Sequence, residues 1–268
     1  MGGYSFGGLS RILESMKTRQ IDAFFRDILK LEDFSAADSS LNGIQADNDG
    51  AEVRKIAFAV DACLETFKRA AACGAGMLFV HHGLFWGAPL RIEGVLRARL
   101  DFLFKNNLAL YAAHLPLDKH DELGNNAVLA GLLDIADKEP FGLYHGLKIG
   151  FKGRLRKALT IDEAARRISF GAAPPLALYP FGKEENVSCA VVSGGAAMEA
   201  AEAIEEGIDL YVTGETSHSV YHTVLEGGLN MIAGGHYATE VWGVRKLMER
   251  CKTALDVDAE FIDVPTGL

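Results

Sequence analysis

The sequence predicts an α/β fold of two similar lobes, a pseudo-repeat, with mainly parallel sheets. Three observations predict it. From residue 56 onward, buried-strand patterns alternate with helical ones, which implies parallel strands joined by helical crossovers. Part of the second half repeats the first at a constant offset. Two adjacent histidines, His81 and His82, close one predicted strand, and open parallel sheets build their sites at the carboxyl ends of strands.

Each element has a local reason. Ile21, Phe24, Phe25, Ile28 and Leu29 recur at helical spacing within 17–30. Turn formers dominate 39–45. Residues 56–60 read as a buried strand, 62–73 as a helix stopped by Gly74 and Gly76, and 77–80 as the next strand. Helical spacing returns with Ile92, Val95, Leu96, Leu100 and Leu103; 108–112 is another strand, and 114–118 leaves it as a loop.

The repeat then sets in. At an offset of 133 with no gap, 56–61 and 77–82 lie over 189–194 and 210–215, with Gly74 over Gly207. At an offset of 122, Tyr111-Ala112-Ala113-His114 with Asp118 lies over Ala233-Gly234-Gly235-His236 with Glu240. Residues 137–188, with Pro140, Pro174, Pro175, Pro180 and a helix-like 162–168, break the pattern. The domains expected are an N-terminal lobe at 17–136, a connecting substructure at 137–188 and a C-terminal lobe at 189–268. The Gly-rich segment 1–16 reads as a leader or tail.

Composition narrows the function. With 49 % apolar residues in 268, the chain can bury a sizeable core. A net charge of −9 weighs against nucleic acid, whose phosphates need clustered Lys and Arg; Lys148, Lys152, Arg154, Arg156 and Lys157 read as a solvated face. Four cysteines without a C-x-x-C pair suit reduced thiols and a cytoplasmic location. No apolar run reaches the length of a membrane span.

The chemistry lies in a few polar positions. Neighbouring side chains of a strand point to opposite faces, so His81 and His82 suit two neighbouring ions better than one. His236 and Glu240, four apart, share a helix face. With Asp118 these make three imidazoles and two carboxylates. A catalytic mononuclear zinc uses about three protein donors; five suit two ions about 3.5–4 Å apart under a bridging carboxylate and a bridging water. Glu240, on a longer arm from a helix, is the better bridge. Two divalent ions against two carboxylates leave a positive surplus that lowers the pKa of a bound water and attracts an anionic small molecule. The donors accept zinc, manganese, iron, nickel or cobalt. Taken singly, each residue has a plainer account: a hydrogen-bonding histidine, a surface His–Glu pair, a turn at 114–118. It is their joint occurrence that points to metal.

Asn42-Gly43-Ile44-Gln45, His81-His82-Gly83-Leu84-Phe85-Trp86, His114-Leu115-Pro116-Leu117-Asp118 with Gly124-Asn125-Asn126, Thr213-Gly214-Glu215 and Gly235-His236-Tyr237-Ala238-Thr239-Glu240 together resemble the NGG-interacting-factor-like dinuclear-metal-centre family. Its bacterial members are often called GTP cyclohydrolase I type 2 homologues. The resemblance implies a two-lobed α/β subunit in a toroidal homohexamer, with two metal ions per subunit facing an internal cavity. Carried over, His82 and Asp118 hold one ion, His81 and His236 the other, and Glu240 both. His114 and Glu215 match family positions as well and are placed around the ligands, orienting them or a substrate. The run Thr216-Ser217-His218 departs from the pattern, and His218 and His222 read as surface or core residues.

The function implied is a metal-dependent hydrolase whose metal-bridging hydroxide attacks a phosphoryl, amide or ring-amidine carbon. The GTP cyclohydrolase label enters by resemblance only, since nothing in the sequence reads a guanine. Gly194-Gly195, a turn before a helix, is a weak phosphate seat. The alternative is a non-enzymatic metal-handling or regulatory scaffold.

Overall fold

In the computed structural model, which describes residues 16–169, 174–255 and 257–268, strand and helix alternate into two sheets. The first half runs α1 (Thr18–Leu29), a 3-10 turn (Leu31–Phe34), β1 (Gly43–Ala46), β2 (Lys55–Asp61), α2 (Leu64–Ala72), β3 (Met77–His82), α3 (Gly94–Lys105), β4 (Ala109–Ala112), α4 (Leu115–Lys119) and α5 (Asn125–Leu132). A hairpin follows, β5 (Ile135–Tyr144) and β6 (Leu147–Leu159), then α6 (Ile161–Ile168) and β7 (Ala177–Pro180). The second half runs β8 (Asn186–Val191), α7 (Ala200–Glu205), β9 (Leu210–Thr213), α8 (His218–Glu226), β10 (Asn230–Ala233), α9 (His236–Ala254) and β11 (Asp258–Phe261).

The first sheet is ordered β1-β4-β3-β2-β11, parallel except for β1. Its strands are apolar on both faces, as a sheet covered by helices on both sides requires. Ile56, Phe58, Val60, Met77 and Phe79 pack on α1 and α9, while Ala57, Ala59, Leu78 and Val80 pack on the side of α2 and α3. The second sheet is ordered β5-β6-β8-β9-β10-β7, with only β8-β9-β10 parallel. Two α/β lobes are therefore present.

The repeat is visible in the ladders. Ile56 pairs with Met77 in one sheet and Cys189 with Leu210 in the other, at the 133 offset. The third strands pair Met77 with Ala109 and Leu210 with Asn230, an offset of 121. The offset of 122 that aligns His114 with His236 is thus one residue out of ladder register. His114 precedes α4, whereas His236 is the first residue of α9.

The helices that follow the third strands cross over. α9 leaves the second sheet but buries Val241, Val244, Leu247 and Cys251 against the first; α5 comes from the first half and buries Ala127, Leu129 and Ala130 against the second. The two helices touch where Gly243 N–H donates to Asn125 Oδ1 at 2.7 Å. This exchange carries His236 and Glu240 over the ends of β2 and β3.

Two further differences concern residues outside the repeat. Residues 137–188 are no connector: they supply most of β5 and all of β6, α6 and β7, while β11 returns the chain's end to the first sheet beside β2. Residues 114–118 are no loop, because Leu115–Lys119 closes a helical turn whose early Pro116 has no N–H to satisfy. Residues 1–15 lie outside the described residues, but Met16 bonds Val53 through backbone N–H and C=O. All four cysteines are free thiols. No helix among the described residues is long and apolar enough to cross a membrane.

Candidate metal centre

Four imidazoles converge where the two lobes meet, and each has its Nδ1 nitrogen tied down. His81, fully buried at the end of β3, donates from Nδ1 to the Ala113 carbonyl at 3.0 Å. His82 donates to Asp61 Oδ1 at 2.9 Å, His114 to Asp38 Oδ1 at 2.9 Å, and His236 to Glu215 Oε1 at 2.6 Å. All four partners are acceptors only, a carbonyl or carboxylates, so Nδ1 carries the proton and Nε2 is the remaining nitrogen. This is how proteins orient imidazoles for metal.

Glu240 stands at the centre and is 3 % exposed. Its Oε1 lies 3.5 Å from His81 Nε2, and its Oε2 lies 3.2 Å from both His82 Nε2 and His236 Nε2. Asp118 Oδ2 lies 3.5 Å from His81 Nε2. Two donors sharing a tetrahedral ion at about 2.1 Å stand roughly 3.4 Å apart, so these separations fit donors arranged around cations. His81 Nε2 and Glu240 Oε2 are buried and have no hydrogen-bond partner among the described residues. Such atoms cost about 1–3 kcal/mol each unless something satisfies them. Two donor groups result, His81–Asp118–Glu240 and His82–His236–Glu240, and a third set brings His114 to His81 and His82. The residues present could hold a metal ion.

The free side chains show the field that such ions would meet. Burial works against a charged His81, yet Asp118 and Glu240 raise it to about 10. Burial opposes a charged His236 too, but Glu240 and then Glu215 lift it to about 9. Burial would raise Glu240; His82, His81 and His236 instead hold its carboxyl well below the ordinary range.

The surroundings are as ordered as the donors. Asp118 Oδ1 accepts from Asn125 Nδ2 at 2.9 Å and from Ser193 Oγ at 3.1 Å. Asn126 joins the lobes by accepting from Ser193 N–H at 2.7 Å and donating to the Ile149 carbonyl at 2.9 Å. Gly194, at φ +66, has no room for a Cβ because Glu240 Oε1 occupies that space. The Gly194-Gly195 turn therefore admits the carboxylate of α9, and Gly195 lines the cavity beside it. A cavity of about 540 Å³ opens over the donors, walled by Trp86, Leu115, Tyr144, Ala196 and Glu199.

The family model for Duf34/NIF3 (NGG1p interacting factor 3) matches residues 16–266. The chain belongs to this family. A relative from Archaeoglobus fulgidus, named GTP cyclohydrolase 1 type 2 homolog, is 43 % identical over 253 residues, covering 94 % of this chain and 100 % of that protein. Another of the same name, from Pyrococcus abyssi, is 41 % identical over 254 residues, with the same shares covered. A crystal structure of a protein from Thermus thermophilus is similar with a TM-score of 0.83 at 36 % identity, covering 94 % of this chain and 100 % of that one.

Seen beside the NIF3 resemblance, the geometry regroups the donors. His81 faces Asp118 and His82 faces His236, instead of His82 with Asp118 and His81 with His236. The reason is local: the His81 ring turns toward Ala113 and α4, whereas the His82 ring turns toward Asp61 and the start of α9. The two rings are also not on opposite faces; at the strand end their centroids are 4.5 Å apart. Glu215 lies against His236 and His114 against the pair, while His218 and His222 are exposed and outside the site. Sequence reasoning missed Asp38, Asp61, Ser193 and the roles of Asn125 and Asn126. The first two also change the charge. Two divalent ions would meet Asp38, Asp61, Asp118, Glu215 and Glu240, five carboxylates against four positive charges, so the positive surplus disappears.

Proposed function

We propose that this chain holds two divalent metal ions, one on His81 and Asp118, the other on His82 and His236, with Glu240 on both, and that it uses them for hydrolysis. The observation that carries this reading is Glu240, a buried carboxylate whose two oxygens face different imidazole sets. Bound there, the ions would supply Lewis acidity and a water of lowered pKa.

The chain's own residues do the rest. Asp61 and Glu215 fix the rings of His82 and His236. His114, held by Asp38 and lining the cavity, is the group placed to take up or release a proton at Nε2. Trp86 and Leu115 narrow the cavity and limit the water near the donors. Hydrolysis of a ring amidine, as the name GTP cyclohydrolase 1 type 2 homolog borne by its relatives suggests, fits this set, and so does hydrolysis of an amide. Assembly into a toroidal homohexamer is proposed with it, and the exposed Leu90, Ile92, Val95 and Phe104 offer apolar surface for such contacts.

The test is turnover of amide, ring-amidine and phosphoester substrates by protein with measured metal content, beside Glu240→Gln. The wild type should hold two ions and turn over; the variant should lose both properties. Turnover that survives loss of both ions refutes hydrolysis by this centre. Two tightly held ions with no turnover of any substrate favour the scaffold reading.

A further inference from the structure

The wall of the cavity is unusual for a site said to take a nucleoside triphosphate. Among its described lining residues there is no Lys or Arg, while Asp61, Asp118, Glu199, Glu215 and Glu240 all contribute. Phosphate chains are recognised by Arg, Lys, helix N-termini and bound divalent ions, and here no Arg or Lys among the described lining residues assists the ions. With two ions bound, the five carboxylates around the donors still outweigh the added charge, and Glu199 adds a sixth carboxyl on the wall. A triphosphate carries about four further negative charges into that field, and like charges at close range repel strongly in a partly buried site.

What the wall does offer is aromatic. The Trp86 indole N–H already donates to the Gly83 carbonyl at 3.0 Å, a backbone bridge to Ser40 pins the residue, and its ring stands T-shaped to that of His114 at 4.9 Å between centroids. It is nevertheless 36 % exposed, and so is Tyr144 on the same wall. An indole whose polar atom is spent and whose position is fixed offers a π face, on which a flat ring can stack.

We propose that the ligand of this cavity is a planar nitrogen heterocycle without a phosphate chain, neutral or cationic, stacked on Trp86 and giving its ring N–H groups to a wall carboxyl such as Glu199. The assignment rests on the two-ion reading, because the charge count includes both ions. It makes the base moiety of the triphosphate in the relatives' name the recognised part, and the phosphates a penalty.

Calorimetric titration of protein whose metal content is measured before and after tests it, with guanosine, 7-methylguanosine, GTP and tripolyphosphate as probes. Guanosine and its cationic methyl form should bind at least about tenfold tighter than GTP, and tripolyphosphate should not compete. Trp86→Ala should weaken guanosine about tenfold, in line with base–aromatic stacking, while both ions stay; Trp86→Phe should recover most of the loss. Protein that holds two ions but prefers GTP, or binds neither nucleoside, overturns this assignment alone. Protein that holds no ions overturns the metal reading and this assignment with it.

Discussion

Gly194→Ala separates the cost of backbone strain from the cost of moving Glu240. Gly194 sits at φ +66, and its backbone is fixed on three sides: its N–H donates to Thr239 Oγ1 at 3.1 Å, and its carbonyl accepts from Gly214 and Glu215 N–H, both at 3.0 Å. An alanine cannot relax from that conformation, which costs about 1–2 kcal/mol. In a chain of this size that lowers Tm by about 2–8 °C. The new Cβ would also occupy the place of Glu240 Oε1 and stand 3.3 Å from His236 Nε2, driving the carboxylate away by on the order of 1 Å. Losing a residue that merely orients a ligand costs about 10–100-fold in metal affinity, so displacing the shared ligand should cost at least about 100-fold for one ion. Gly207→Ala is the control: φ is +68 there, and nothing lies within 4 Å of its added Cβ. Thermal unfolding and chelator-competition metal titration should show similar Tm losses for both variants and an affinity loss for Gly194→Ala alone. Wild-type affinity for both ions in Gly194→Ala would refute the placement of Glu240.

Other perturbations reach the same centre by different routes. Gly243→Ala would put a Cβ 2.6 Å from Asn125 Oδ1 and 2.7 Å from its backbone nitrogen; overpacking of this kind costs about 1–3 kcal/mol, and calorimetry should show a lowered Tm with weaker binding on the Asp118 side. With His81 raised to about 10 and His236 to about 9, both are protonated at pH 7.5 without metal and must lose a proton to bind it. Loading should then release about two protons, and affinity should climb with pH until about 9–10; equal heats in buffers of different ionisation enthalpy would contradict this. Asp61→Ala and Glu215→Ala should each weaken the ion on His82 and His236 by about 10–100-fold, read by metal titration. Asp38→Asn should leave both ions bound while lowering turnover by about 100-fold or more, the usual contribution of a positioned proton carrier.

Much of this centre could be read in the chain because its donors lie at the ends of regular elements. His81 and His82 follow an uninterrupted apolar strand, and His236 and Glu240 open an amphipathic helix, so pattern and spacing suffice. The 133-residue repeat is equally plain because both copies keep the same ladder register. Matching the histidines shifts its third strand by one residue, since the short apolar run that sets the ladder is a weaker signal than a shared imidazole. Asp38 and Asp61 carry no such mark: a carboxylate after a strand or beside a turn looks like an ordinary cap, and their partners lie 76 and 21 residues away. The crossing of α5 and α9 is hidden for a related reason. An apolar helix face shows that it is buried, not which of two similar sheets it covers.

Crystals grown with manganese or zinc would test the central claim most directly, through anomalous scattering. Two peaks about 3.5–4 Å apart are predicted, one beside His81 and Asp118, the other beside His82 and His236, with one Glu240 oxygen on each. A single peak, or a Glu240 side chain turned away from both imidazole sets, would contradict the account.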